Sequence, residues 1–206
     1  MNVPASFQIV ATNSPTSYAI ATGTLPQGLN LNTTTGEISG TPEEAGYFEL
    51  DVNATNGAGT SADETIAISI DPGDQTITFG ALSNVTFGDA PFNLTATASS
   101  GLPVSYSSSN PLVASISGNT VTIVGAGSTT ITASQNGDAN WNPALNVQQT
   151  LTVDKANQTI TFDPLADVLD TDPDFNLTAT STSGLTITYN SSNPAVATIS
   201  GNTVSI

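Results

Sequence analysis

Cysteine and histidine are absent from this chain, and Lys155 is its single basic residue. Without cysteine there are no disulfides, no thiol nucleophiles and no thiolate metal sites. Without histidine the commonest general base near neutral pH is gone. One lysine leaves almost no amine chemistry, and the abundant serine and threonine have no evident base beside them. A carboxylate pair of the glycosidase kind is the formal remainder, but the acidic residues fall mostly in turns and linkers rather than in a cleft. The residues therefore argue against an enzyme. Set against 17 Asp and Glu, the lone lysine leaves a net charge of −16. Such a chain excludes nucleic acid as a partner, because binding it needs Lys and Arg to displace counterions. It also repels anionic membrane surfaces. No apolar run approaches the ~18 residues of a membrane helix, so no membrane insertion is expected. Met1 is followed by Asn-Val-Pro-Ala-Ser-Phe, without the basic start and apolar stretch of a secretion signal. If the chain is exported, its signal is expected to lie outside this segment.

What is present is alternation and repetition. Hydrophobic residues make up 37% of the 206, enough to build a packed core, while charged residues are only 9%. The surface must therefore be mostly Ser, Thr, Asn, Gln and Gly. Residues 75–123 recur without a gap as residues 158–206, and 31 of the 49 pairs are identical. A period of 83 residues suits a small β-sandwich. Three segments follow from this: 1–71, 75–153 and 158–206, with linkers at 71–74 and 154–157. In the first, Phe7, Ile9 and Ala11 alternate, then Tyr18 and Ile20, and Phe48, Leu50 and Val52 share one face of a strand over 46–53. Asn56-Gly-Ala-Gly signals a hairpin, and Ile66, Ile68 and Ile70 alternate in the closing strand. In the second, Ile77 and Phe79 alternate, followed by Phe92, Leu94, Ala96 and Ala98, by Val104 and Tyr106, and by Val121 and Ile123. Ile131 and Ala133 come next, and Leu145, Val147, Leu151 and Val153 line the last strand. No stretch keeps a helical period.

Two resemblances are specific. Residues 18–59 contain Leu25-Pro-Gln-Gly28-Leu29, then Thr35-Gly36-Glu-Ile38-Ser-Gly40-Thr41-Pro42, then a Gly-led strand ending near Ala54-Thr-Asn. This resembles immunoglobulin-like modules of the He-PIG type, related to cadherin-like repeats, with Thr24 as a departure between Gly23 and Leu25. Such modules normally begin with one more strand upstream, for which 1–71 has little room. In the second segment, Ser107-Ser-Ser-Asn110-Pro is followed by Val113-Ala-Ser-Ile116, by Gly118-Asn-Thr-Val121, and by Gly127 with a threonine-rich strand. This resembles bacterial immunoglobulin-like repeats of group 2, found in tandem in large surface proteins. The resemblance implies an all-β chain of tandem immunoglobulin-like β-sandwich modules in a rod, on the bacterial cell surface or secreted. The third module is incomplete: the counterparts of residues 124–153, two core strands, do not follow Ile206. Either a longer chain supplies them, or a strand from an identical subunit completes the sandwich.

Candidate sites are few. Asp170, Asp172 and Asp174 mimic the first half of a calcium loop, but loop position six is Phe175 rather than Gly and position twelve is Ser181 rather than an acid. Only Asp172 has an acidic counterpart in the second segment, Asp89. The linker carboxylates Asp71, Asp74 and Asp154 are the second candidate set for calcium, between consecutive modules as in the cadherin-like group. Asp beside Pro and Gly also simply makes a good turn. Trp141 and Asp138 lie in an Asn-Gly-Asp-Ala-Asn-Trp hairpin that offers a stacking face for a glycan or a cell-surface partner, or else covers the end of the core. Isopeptide cross-links need a lysine inside each core, which one linker lysine does not supply. The expected role is structural: an adhesin stalk or an extracellular filament subunit, whose partners are neighbouring modules or identical subunits. A glycan- or protein-binding module and a spacer beside a secreted catalytic domain are the alternatives.

Overall fold

A computed structural model describes residues 3–206. It divides into two compact units, Met1–Asp154 and Lys155–Ile206. The regular structure of the described residues is all strand, without a helix.

The first unit opens with seven strands: β1 (Ala5–Gln8), β2 (Ser17–Thr22), β3 (Leu29–Leu31), β4 (Glu37–Gly40), β5 (Gly46–Asn56), β6 (Gly59–Thr60) and β7 (Glu64–Ile70). They form two sheets, β1-β4-β3 and a second in which β5 pairs with β2, β6 and β7. β5 is long because its alternation never breaks. Leu50 and Val52 turn inward and are buried, while Tyr47 and Glu49 face water. Leu29 and Ile38 of the first sheet meet Leu50, Val52 and Ile68 of the second to form the core. Two glycines allow this approach. Gly28 and Gly40 both have positive φ, +87° and +144°. A Cβ on Gly28 would run into the carbonyl of Thr41, and one on Gly40 into the carbonyl of Gly28. The spacing from Leu-Pro-Gln-Gly to Gly-Thr-Pro is thus the contact of two backbones with no room for side chains. On the outer face, Asp51 stands between Thr22 and Thr65 in register. Its carboxylate accepts both hydroxyls, each at 2.6 Å.

Nine strands follow: β8 (Ile77–Thr78), β9 (Val85–Thr86), β10 (Phe92–Asn93), β11 (Thr97–Ala98), β12 (Ser105–Ser108), β13 (Ala114–Ser117), β14 (Thr120–Ile123), β15 (Gly127–Ser134) and β16 (Val147–Asp154). One layer holds β10-β14-β13 and the β8–β11 pair; the other is β12-β15-β16-β9. β9 runs parallel to β16, bringing Val85 beside Val153, and all the other pairs are antiparallel. Ile131, Ala133 and Leu151 project from β15 and β16 onto Ile77, Phe79, Leu94 and Val121, and all seven are buried. Full burial of an aliphatic side chain is worth about 1.5–3 kcal/mol, so these two strands carry much of the core. The Ser-Ser-Asn-Pro turn is pinned by the same layer. Buried Thr129 of β15 exchanges hydrogen bonds with the hydroxyls of Ser108 (2.8 Å) and Ser109 (3.2 Å) and accepts one from the Asn110 N–H (3.0 Å).

The second unit contains β17 (Ile160–Thr161), β18 (Phe175–Asn176), β19 (Thr180–Ser181), β20 (Thr198–Ser200) and β21 (Thr203–Ser205). Its pairings repeat those of the second module: β17 with β19 as β8 with β11, and β18-β21-β20 as β10-β14-β13. Even the ring contact recurs. Phe79 meets Tyr106 edge-on at 5.8 Å, and Phe162 meets Tyr189 at 5.9 Å. What differs is cover. Ile77 is 9% exposed but Ile160 60%, and Phe79 is 7% exposed but Phe162 49%. Residues 105–108 form β12 on the edge of β15, whereas their counterparts 188–191, with no such partner in the unit, are not strand. Pairing, not local sequence, decides that strand.

Two expectations of the sequence are corrected. Leu145 does not line the last strand; it is exposed, because β16 begins at Val147, opposite Ala133, and the chain before it is still turning. Phe7 is exposed rather than half-buried. In the second module a segment lies beside the last strand, namely β9. In the first module β7 pairs only with β5 among the described residues. Phe7 and Val10 instead border an open groove of about 390 Å³ with Ile38, Val52, Ile66 and Ile68.

The repeat provides its own control for stability. Ile77→Ala is expected to cost the first unit about 2–5 kcal/mol in urea unfolding followed by Trp141 emission. Ile160→Ala is expected to change hydrogen exchange in β17–β21 by less than about 1 kcal/mol. Equal costs would contradict the difference in cover.

A second outcome concerns acid. Hydrogen bonds from Thr22 first and Thr65 second hold the Asp51 carboxyl below its ordinary value. A lowered folded value stabilises the fold above the unfolded value, and that contribution is lost as pH falls through the folded one. Asp51→Asn is therefore expected to flatten the acid limb of the first unit's stability against pH. An unchanged limb would show that the two threonines do not favour the ionised form.

Candidate functional site

The sequence candidates do not converge on one place. Among the described residues no three acidic side chains group in a way that could hold a metal ion. Most of the candidates for which contacts are seen hold turns or strand ends. Asp172 accepts the Leu169 N–H at 2.8 Å and its own N–H returns to the Leu169 carbonyl at 3.0 Å. Asp89 does the same for Thr86 at 2.7 and 2.9 Å, so the one acidic position shared by the two copies caps the same turn in each. Asp174 accepts the hydroxyl of Ser205 (2.8 Å). Asp170 is exposed beside them. Asp154 ends β16, where its carbonyl accepts the Phe87 N–H (2.8 Å). Asp71 is exposed at the start of the first linker.

The remaining candidates, Asp74, Asp138 and Trp141, do meet, at the junction between the first two modules. The hairpin 135–144 connects β15 to β16 and folds back on the linker 71–74. The Gly73 N–H donates to the Asn140 carbonyl (2.9 Å) and the Asn142 N–H to the Gly73 carbonyl (2.8 Å). These two bonds make a parallel bridge of Gly73 with Trp141. The Asn142 side-chain amide donates to the Asp74 carboxylate (2.9 Å) and to the Pro72 carbonyl (3.3 Å). Within the hairpin, Asp138 Oδ1 accepts the N–H groups of Asn140 (2.8 Å) and Trp141 (2.9 Å). That local loop is the reason for an aspartate two residues before an asparagine. Trp141 is half-buried against this joint rather than raised at a free tip.

Beneath the hairpin sits a buried amide pair that sequence reasoning missed. Gln75 Nε2 donates to Gln135 Oε1 (2.6 Å) and to the Asn142 carbonyl (2.8 Å), and Gln75 Oε1 accepts the hydroxyl of Ser100 (2.5 Å). Gln135 Oε1 also accepts the Gly137 N–H. Both glutamines are buried, and no buried side-chain nitrogen or oxygen among the described residues is left without a hydrogen-bond partner, as burial of polar groups requires. A signal for them existed. Gln75 opens one copy of the repeat and Gln158 the other, where Gln158 likewise accepts the hydroxyl of Ser183, the counterpart of Ser100. The arrangement has no nucleophile–base pair. Its chemistry is that of uncharged amides and backbone groups fastening one segment to another.

Two family models match the chain. Residues 1–71 match He_PIG, described as "Putative Ig domain". Residues 92–137 match the immunoglobulin-like domain of intimin. The two matches fall on successive segments of the chain, and both are to immunoglobulin-like domains. Among solved structures it is similar to extracellular cadherin domains 3–6 of protocadherin gamma B2, at 16% identity and a TM-score of 0.37, over 85% of this chain and 49% of that one. It is similar to domains EC1–4 of Drosophila N-cadherin, at 13% identity and a TM-score of 0.31, over 92% and 56%. A third is the surface layer protein SbsC, domains 1–6, at 20% identity and a TM-score of 0.32, over 94% and 29%. The tandem modules span about half the length of the two cadherin structures. No curated protein sequence matches. Among the described residues no helix is long and apolar enough to cross a membrane.

The buried amide pair yields a direct expectation. Gln75→Ala leaves Gln135 and the hydroxyl of Ser100 with unmade hydrogen bonds, and is expected to cost the first unit about 1–3 kcal/mol in urea unfolding. A cost under about 0.5 kcal/mol, the range of an ordinary surface substitution, would show that water replaces it freely.

Proposed function

We propose that these tandem modules form a structural segment of a bacterial extracellular surface protein, as part of an adhesin-like stalk. The observation that carries this reading is the fusion of two successive sandwiches into one compact unit. Their linker is not left loose but is hydrogen-bonded into the second module. A series of such modules transmits force and sets distance without any chemistry of its own. The likeness to an intimin domain supports a place outside the cell. The strongly acidic, lysine-poor surface supports the same reading, since self-repulsion keeps repeated modules from collapsing on each other. Single-molecule pulling of the chain between reference domains tests it. Discrete force peaks for the first and second modules are expected; a featureless extension would remove the mechanical role.

A second reading, a filament subunit completed by strand exchange, has one specific observation in its favour. The second unit presents Ile160, Phe162 and Leu165 on an open apolar face where the second module places β15 and β16. An uncovered sheet face and edge of this kind take up strands. Sedimentation of the purified chain over a concentration series decides. Association that grows with concentration and protects the amides of β17 and β19 supports exchange; a monomer at every concentration excludes it.

A further inference from the structure

We propose that the hairpin 135–144 is a latch that fixes the first module on the second, that Asn140 is its positioning residue, and that the joint closes without a divalent ion. Asn140 acts in three directions at once. Its backbone N–H is held by Asp138 Oδ1 (2.8 Å), which sets the loop. Its carbonyl accepts the N–H of Gly73 in the linker (2.9 Å). Its side-chain Oδ1 accepts the N–H of Ala45 in the first module (2.8 Å), 95 residues away and one residue before β5. The hairpin cannot drift, because its base is clamped by the buried Gln75–Gln135 pair and by the Ala144 N–H on the Gln135 carbonyl (2.9 Å). Position is thus passed from the core of the second module, through the amide pair and the hairpin, to the backbone that feeds the longest strand of the first.

Three acidic groups near the joint, Asp74, Asp138 and Glu44, are engaged with protein donors. Asp74 accepts the Asn142 amide and Asp138 accepts two N–H groups, while Glu44 Oε1 accepts the Gln27 N–H on the first-module side (2.7 Å). Among the described residues no three acidic side chains group in a way that could hold a metal ion, so no set of oxygens is assembled for a cation to bridge the modules. The latch uses uncharged amides, which suits a chain of net charge −16, since a carboxylate-lined joint would be opened by its own repulsion.

The absence of native cysteine makes the test clean. Spin labels on Thr34→Cys and Asn119→Cys, both at exposed positions in the two modules, report the inter-module distance by double electron–electron resonance. The full chain is expected to give one narrow distribution, the same with calcium ions as with EDTA. Asn140→Ala removes one hydrogen bond and is expected to raise the open fraction about 2- to 10-fold. Asn140→Asp keeps an acceptor for Ala45 and is expected to restore most of the narrow distribution. Ala45→Pro deletes the donor from the other side and is expected to broaden the distribution as Asn140→Ala does, with the double variant no broader than either. Trp141 emission and hydrogen exchange in β5 and β15 confirm that each module stays folded in these variants. A distribution unchanged in both Asn140→Ala and Ala45→Pro overturns the latch. Broadening of the unsubstituted chain by EDTA overturns its independence of divalent ions.

Discussion

An apolar sheet face keeps its order only when a second layer covers it, and most of what distinguishes the two copies of the repeat follows from that requirement. Ile77 and Phe79 are core residues because β15 and β16 lie over them. Ile160 and Phe162 lie in the same Gln-Thr-Ile-Thr-Phe sequence, and Phe162 keeps its tyrosine ring partner, yet both stand exposed. The pairings whose partners both lie within residues 158–206 survive in both copies, from the β20–β21 hairpin to Phe175 with Val204. β12, whose partner is β15, forms in one copy, while its counterpart 188–191 is not strand in the other. Cover also explains the first module. Its core is built where two sheets meet at Ile38 and Leu50, and it opens into a groove at Phe7, beside the edge of β7.

Between modules the same economy of contact applies with polar groups. A joint made of apolar side chains would bury area that a freely stacking repeat would also offer to every neighbour. Here the joint is a narrow set of directional hydrogen bonds around Gly73, Asn140 and Asn142. Such bonds contribute little each, but they specify geometry, and the buried Gln75–Gln135 pair gives them a fixed base. The carboxylates serve the same end. Asp89, Asp138 and Asp172 tie down loops, and Asp51 ties three strands on an outer face. An acidic composition is therefore compatible with a tightly folded chain, because much of its charge is spent on backbone N–H groups and hydroxyls.

Fold class was legible in the sequence because strand alternation is local. The inward faces of Phe48, Leu50 and Val52, or of Ile131 and Ala133, follow from a period of two, and the He-PIG motif marks the paired glycines Gly28 and Gly40. The exposure of Phe7 and Leu145 was not legible, since alternation gives a face and not the element that covers it. The same holds for the site. Asp74, Asp138 and Trp141 stood out by type, but nothing in their spacing shows that residue 73 meets residue 141. Asn140 was hidden among many asparagines of a turn-rich chain, and its role depends on Ala45, a partner 95 residues away. Gln75 carried a trace in its recurrence as Gln158, visible only once burial showed what it was for.

The central claim is that cover by a second layer, and not the strand sequence itself, decides the order of each copy of the repeat. Amide hydrogen exchange on the dilute chain compares the two copies at equivalent positions, above all Val121 against Val204, both buried in strands β14 and β21. The account predicts protection at Val121 set by unfolding of the whole first unit, and protection at Val204 lower by at least about tenfold, the mark of local opening. Equal protection at the two valines would contradict it.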